Sequence, residues 1–295
     1  MRRKKRIRWG RLCGLIFFVV LTITVISGIG QNLKLWADEI IKNRNSSAED
    51  NFIEVFGMKA EKATEESETA ELVVENEVIA AFAAGNGLSV NAWPAELVEL
   101  LERNPDAKDF VLNYPLKKNQ VFNINLSEYV NSVTVPLFHQ WDERWGYTSY
   151  GSNVMGLTGC GPTCLSMVCI YLLQDAVYTP RYVADFAEKN GYYVEGSGSA
   201  WTLISEGGEA LGLDVVEISL DEKRMIKNLE LGSPIICIMG PGDFTTTGHF
   251  IVLRGVVDGK FVVNDPNSKS NSERLWSYDE ICGQIKNLWV CRLPQ

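Results

Sequence analysis

The first pattern along the chain is an apolar run, LCGLIFFVVLTITVISGIG at residues 12–30, nineteen residues without a charge. About 20 apolar residues cross the ~30 Å hydrocarbon core as a helix, so the run predicts a transmembrane span. A secretory signal peptide is the rival reading, but its apolar core is usually only about 7–15 residues long. The expectation is an uncleaved anchor, with a cleaved signal ending near Gly28-Ile29-Gly30 as the alternative. Residues 31–90 lose the apolar pattern. Between Asp38 and Glu77 twelve acids stand against four bases, around the low-complexity core EKATEESETAE. Such a segment buries too little apolar surface to offset its ordering entropy, and it reads as a solvated stalk.

Periodic apolar positions resume near Trp93. Leu97, Leu100 and Leu101 follow Pro94 at helical spacing, and a second short helix is expected from Ala107 to Leu112 before Tyr114-Pro115 breaks it. Residues 91–132 thus read as a helical preface. From 133 to 295 the pattern first favours helices: an apolar one over 161–173, one from Thr179-Pro180 to about Lys189, and others over 200–211 and 221–230 that end near Gly212 and Gly232. Strands follow at 234–239, 249–257, 260–265 and 288–293, with a helical stretch from Tyr278 to Ile285. Helices followed by an antiparallel sheet predict an α+β domain.

Charge sharpens the picture. Seven of the 28 basic side chains lie in residues 2–11, which hold no acid, so the remaining chain carries 21 bases against 37 acids. A basic flank stays cytoplasmic, which puts everything after Gly30 outside the cell membrane. The acidic body repels polyanions and excludes a nucleic-acid partner. The seven cysteines form no dense, even framework, so no disulfide-stapled mini-domain is expected. Cys169, Cys237, Cys282 and Cys291 read as free thiols in apolar contexts.

The chemistry concentrates in TGCGPTC, residues 158–164. Gly159 and Gly161 flank Cys160 and permit a sharp turn, and Pro162 suits a first helical turn. Cys160 therefore sits where a loop becomes a helix N-terminus, a place that stabilises a thiolate. It is the candidate nucleophile. Cys164, one turn on, reads as packing or as a neighbour of the site. A thiolate needs a base, and the chain has two histidines. His249 opens the strand HFIVLRGVV, whereas His139 in FHQWDERW reads as a loop residue.

Asp265 is the candidate to orient the imidazole, and hairpin geometry tests it. A two-residue Asp258-Gly259 turn pairs Val257 with Lys260 and places Asp265 on the face opposite His249. A three-residue loop with Gly259 left-handed sets Ile251 against Asp265 instead and makes His249 its diagonal neighbour, about 7–8 Å away. The longer loop is therefore expected. An Asp-Pro turn is the plain alternative for Asp265, and Asn264 lies on the other face. Gln140 is the candidate oxyanion donor, its amide beside the Cys160 backbone N–H. Trp141 and Trp145 read as packing or cleft walls. A zinc site from Cys160, Cys164 and His249 lacks a fourth good ligand, so neither metal nor cofactor is expected.

QWDERWG, GCGPTC and GHFIVLRGVVDGKFVVNDP together resemble the papain-like cysteine peptidases of the bacteriocin-processing, double-glycine type, over about residues 93–293. The resemblance implies a papain-like fold with Cys160 as nucleophile, His249 as base, Asp265 as orienter and Gln140 in the oxyanion hole. Transporter-fused relatives place the glutamine only a few residues before the cysteine, and in this sequence it is far upstream. No P-loop or transporter is seen in this sequence, so coupled peptide export is not implied. The resemblance is to the anchored or secreted members, with a peptide or protein substrate expected. A cysteine-dependent acyl transferase or amidase on cell-wall peptides and an inactive peptide-binding module are the alternatives.

Overall fold

The computed structural model describes residues 76–294. The expected basic end (1–11), the transmembrane helix or signal (12–30) and most of the stalk (31–90) lie outside the described residues. Among the described residues no helix is long and apolar enough to cross a membrane.

Helical structure already begins at Glu77, inside the range assigned to the stalk. Helix α1 (Glu77–Asn86) starts because the Asn76 carboxamide oxygen accepts from the N–H groups of Val78 and Ile79, at 3.1 and 3.2 Å. Gly87 ends it at a positive φ of 65°. Charge density conceals this helix, because the acids stop at Glu77 and EVIAAFAAGN is apolar enough to bury Ile79 and Ala83. Helix α2 (Ala95–Arg103) buries Leu97, Leu100 and Leu101. Helix α3 (Lys108–Lys117) continues through Pro115, where a break was expected. A proline at that position removes the N–H that would have bonded to the carbonyl of Val111. Trp93 Nε1 donates to that carbonyl at 2.7 Å, so it is not orphaned. These helices bury their apolar faces together with Trp141 and Tyr147 of the following segment.

The domain beyond the preface is α+β. Helix α4 (Cys160–Leu173) ends where Gln174 adopts a left-handed conformation. Helix α5 (Pro180–Lys189) starts at Thr179, whose hydroxyl accepts from Tyr182 N at 3.1 Å. The helix expected over 200–211 is instead a π-helical turn, Leu203–Gly207, running into a short turn Gly208–Ala210. Adjacent glycines weaken a regular helix there, and a Cβ on Gly208 would meet Val215 at 2.8 Å.

Six strands form one sheet: β1 (Asp214–Glu217), β2 (Ile235–Met239), β3 (His249–Val257), β4 (Lys260–Asn264), β5 (Leu275–Trp276) and β6 (Ile285–Arg292). Their order is β1-β6-β2-β3-β4-β5, every pairing antiparallel. β1 is an edge strand of four residues, too short for its alternation to be read. The helix expected from Tyr278 to Ile285 is a single turn, Tyr278–Ile281, and β6 begins at Ile285.

Helix α4 covers one face of the sheet, its Leu165 and Val168 clustering with Ile236, Phe250, Val252 and Trp289. Helix α6 (Glu222–Glu230) covers the other, Met225 and Leu229 clustering with Ile251, Leu253, Phe261 and Val263. Each of these large side chains contributes about 1.5–3 kcal/mol by leaving water. Coverage of both faces explains why β2 is buried at all five positions.

The β3–β4 hairpin departs from expectation in an informative way. Val257 pairs with Lys260, so the turn is the two-residue Asp258-Gly259, both at positive φ (51° and 75°). The three-residue loop is absent. The extra residue sits inside the ladder, where pairing shifts from Leu253–Val263 to Gly255–Val262 and Arg254 bulges. Val252 then pairs with Asn264, which brings Ile251 opposite Asp265. A bulge and a longer loop are equivalent in count, so the same face relation is reached by a different local device.

Candidate functional site

Cys160 is the first residue of α4 and is half-buried. The single turn Met155–Thr158 leads directly into it. The glycines beside it serve a purpose different from the expected turn. Gly159 has an ordinary φ of −87°, but a Cβ there would lie 2.5 Å from the Met155 carbonyl oxygen. A Cβ on Gly161 would lie 2.6 Å from Ser199 Oγ. Close approach, rather than a left-handed backbone, demands glycine on both sides of the thiol.

His249 and Asp265, 6% and 1% exposed, lie at neighbouring ends of β3 and β4. His249 Nε2 is 2.7 Å from Asp265 Oδ1. The same imidazole acts electrostatically on the thiol of Cys160, so helix and sheet meet at one ring. Burial by itself would push the thiol pKa up. The hydrogen bond and charge of His249, with the backbone N–H groups of Phe250 and Gly161, outweigh it and hold Cys160 below the ordinary thiol range. Burial would likewise lower His249, but the Asp265 charge and hydrogen bond, reinforced by Cys160, push it up to about 10. Burial would raise Asp265, and the His249 charge together with donors from His249, Asn271 and Asn267 holds it below the usual carboxylate range. All three directions favour a thiolate beside an imidazolium.

Asp265 is also fixed from behind. Its Oδ1 accepts from the N–H groups of Asn267 (2.8 Å) and Ser268 (3.2 Å), and its Oδ2 from Asn271 Nδ2 (2.8 Å). Asp265 N donates to Ser272 Oγ at 2.9 Å. Sequence reading singled out none of these supports, although the run DPNSKSNS carries the side chains that commonly cap such turns. Asn264 points elsewhere, to the Pro136 carbonyl at 2.9 Å and to Arg254 Nε at 2.9 Å, so it does not orient His249.

Gln140, the expected oxyanion donor, sits beside the turn before Cys160. It is 3% exposed, and its Nε2 donates to the carbonyls of Gly156 (3.0 Å) and Leu157 (3.1 Å). Its amide donors are committed to the turn before Cys160 rather than open to an oxyanion. Gln140 Oε1 is buried without a hydrogen-bond partner. His139 stacks on Trp141 with centroids 4.5 Å apart, and Trp145 Nε1 donates to the His139 carbonyl at 2.8 Å. Burial and Lys269 lower the His139 pKa, against Asp265, which raises it. Cys164 is fully buried, and desolvation pushes its pKa well up, so it stays a packed thiol. Among the described residues no group of three or more His, Cys, Asp and Glu side chains could hold a metal ion.

The described domain is thus an α+β fold in which a thiol on the first residue of a helix, an imidazole and a carboxylate converge where the helix meets an antiparallel sheet. The family model described as "Peptidase_C39 like family" matches residues 132–292, more than half of the chain. The chain belongs to this C39-like peptidase family. Two solved structures are similar to it. The peptidase domain of Streptococcus ComA, a bi-functional ABC transporter involved in a quorum-sensing pathway, is 20% identical, with 47% of this chain and 93% of that one covered and a TM-score of 0.38. A protein of Bacillus anthracis assigned as a C39-like peptidase is 14% identical, with 58% and 97% covered and a TM-score of 0.37. No curated protein sequence matches the chain.

Proposed function

We propose that the chain is a cysteine peptidase in which Cys160 is the nucleophile, His249 the general acid and base, and Asp265 the group that orients and charges the imidazole. The observation that carries this reading is the buried His249 imidazole, 2.7 Å from Asp265 on one side and acting electrostatically on the thiol of Cys160 on the other. The thiolate attacks the scissile carbonyl carbon and forms a C–S bond. His249 gives its proton to the departing amine as the C–N bond breaks, which leaves a thioester. The neutral imidazole then takes a proton from water, whose oxygen attacks the thioester and frees the acid and Cys160. Negative charge on the carbonyl oxygen develops at the start of α4, where the helix dipole favours an anion.

The substrate class is peptide or protein. The apolar run at 12–30 with its basic flank supports a site held outside the cell membrane. Hydrolysis of a peptide library by the full chain tests the reading, with Cys160→Ala and His249→Ala as controls. Turnover that is lost in both variants, with the circular dichroism spectrum unchanged, is the expected result. Undiminished hydrolysis by Cys160→Ala would sink the assignment, and no turnover by any form would favour a peptide-binding module. Products that incorporate an added amine would move the reaction to acyl transfer.

A further inference from the structure

The loop that carries Asp265 is held from outside by the helical preface. Asn104, between α2 and α3 and 8% exposed, donates from Nδ2 to the backbone carbonyl of Asn267 and also to Asn267 Oδ1 at 3.2 Å. Trp141 Nε1 donates to the same carbonyl at 3.0 Å. That carbonyl and the N–H of Ser268 belong to one peptide unit, which is planar, so fixing one end aims the other. The Ser268 N–H points at Asp265 Oδ1, 3.2 Å away. Asn104 therefore acts on the carboxylate through a single rigid peptide plane. Next to it, Asp106 Oδ2 accepts from Lys269 N at 3.3 Å.

The preface also reaches the other half of the site. A Cβ on Gly156 would lie 2.3 Å from Phe110 Cζ, so this α3 ring is pressed against the turn that feeds Cys160. The Gly156 carbonyl is one of the two that Gln140 holds. One helical unit thus abuts the segment before the thiol and the loop after the carboxylate.

We propose that the preface is a built-in brace of the catalytic centre and that Asn104 is a positioning residue, keeping the Asp265 loop where its carboxylate meets His249. The catalytic roles of Cys160 and His249 in this proposal rest on the peptidase reading. A brace of this kind is the opposite of an inhibitory segment, because its removal slackens the site.

Asn104→Ser separates the two jobs of this side chain. Asn104 Oδ1 also caps the following turn by accepting from Asp106 N at 3.1 Å, and serine keeps a capping oxygen while losing the reach to Asn267. It also leaves unchanged the titratable groups around the pair: Cys160 and Cys164 on α4, and His139, Lys269 and Asp106 across the loop. The full chain, in detergent and labelled on histidine nitrogen, has two imidazoles to titrate by NMR, with His249→Ala assigning them. In Asn104→Ser the His249 midpoint should fall by about half a pH unit or more, and the Cys160 alkylation midpoint should rise. A shift of that size is about three-fold in thiolate fraction at fixed pH. The thermal midpoint should stay close to that of the parent, whereas Asn104→Ala, which also loses the cap, should melt lower. Titration curves that superimpose on those of the parent would overturn the brace, whatever happens to thermal stability. A fallen His249 midpoint in a chain that hydrolyses no peptide would uphold the brace and remove the peptidase reading. Cys160-dependent hydrolysis with an unmoved midpoint would do the reverse.

Discussion

Asp265→Asn isolates the charge in the His249 pair while preserving shape. The parent carboxylate is buried and accepts four hydrogen bonds, from His249, Asn267, Ser268 and Asn271. An asparagine Oδ1 can keep three of these partners, and its Nδ2 can donate to Asn271 Oδ1 once the Asn271 amide turns over, so the hydrogen bonds survive the change. The effect falls on the imidazole. Opposite charges at this separation attract by about 4–6 kcal/mol at an effective dielectric near 20, and desolvation cancels part of that. A net loss of about 3 kcal/mol corresponds to roughly two pKa units, which brings His249 from about 10 to the neighbourhood of 8. The thiolate–imidazolium form then falls by about a hundred-fold relative to the neutral pair.

The assay is the rate of Cys160 alkylation by iodoacetamide between pH 4 and 10, read by peptide mass spectrometry. The midpoint in Asp265→Asn should lie about two pH units above that of the parent, and peptide turnover at pH 7 should drop by about two orders of magnitude. The thermal midpoint should fall by several degrees, given about 2–4 °C per kcal/mol for a domain of this size. An alkylation profile identical to the parent's would refute the reasoning, because it would mean that Asp265 does not charge His249.

Other perturbations test other parts of the structure. Gly156→Ala drives a methyl into Phe110 and should cost about 1–3 kcal/mol in chemical denaturation, with Phe110→Leu in the same chain recovering much of it; a neutral Gly156→Ala would contradict the contact. Trp93→Phe removes the donor that replaces the missing Pro115 N–H and should destabilise by about 1–3 kcal/mol, whereas Pro115→Ala in that background should restore part of the loss by supplying the N–H. Gln140→Leu strips two carbonyls of their donor and should slow Cys160 alkylation by loosening the turn before it; an effect on kcat alone, with alkylation unchanged, would return Gln140 to the oxyanion hole. In Cys160→Ala, the raised His249 pKa adds stability that is fully present below about 6.5 and lost as pH rises toward its folded value. The depressed Asp265 pKa adds stability that is present above about 3.9 and lost as pH falls through its folded value. Urea midpoints of Cys160→Ala should therefore decline from pH 6 to 9.5, and His249→Gln in that background should flatten the decline; parallel curves would count against the pair.

Much of the domain is legible locally. The dipeptide Asp258-Gly259 between two apolar runs marks a hairpin whatever surrounds it, and a cysteine followed by Gly-Pro marks a helix entry, because both signals are backbone preferences of a few residues. The strand His249–Val257 and the helix Cys160–Leu173 follow from such signals. The bulge at Arg254 does not. Its residue count equals that of a longer loop, and only the pairing of Leu253 with Val263 and of Gly255 with Val262 says which occurs.

The chain by itself therefore determines the class of fold, the cysteine at a helix start, and the strands that present a histidine and an aspartate. Those features depend on residue type, periodicity and turn chemistry within a few positions. Tertiary structure alone decides how they are supported. Pro115 stays helical because a tryptophan twenty-two residues earlier supplies a hydrogen bond, Gln140 is spent on the turn before Cys160, and Asn104 holds the loop behind Asp265 from 163 residues away. These are contacts between polar groups buried at long range. No local pattern specifies them, since the partner exists only once the core has brought distant segments together.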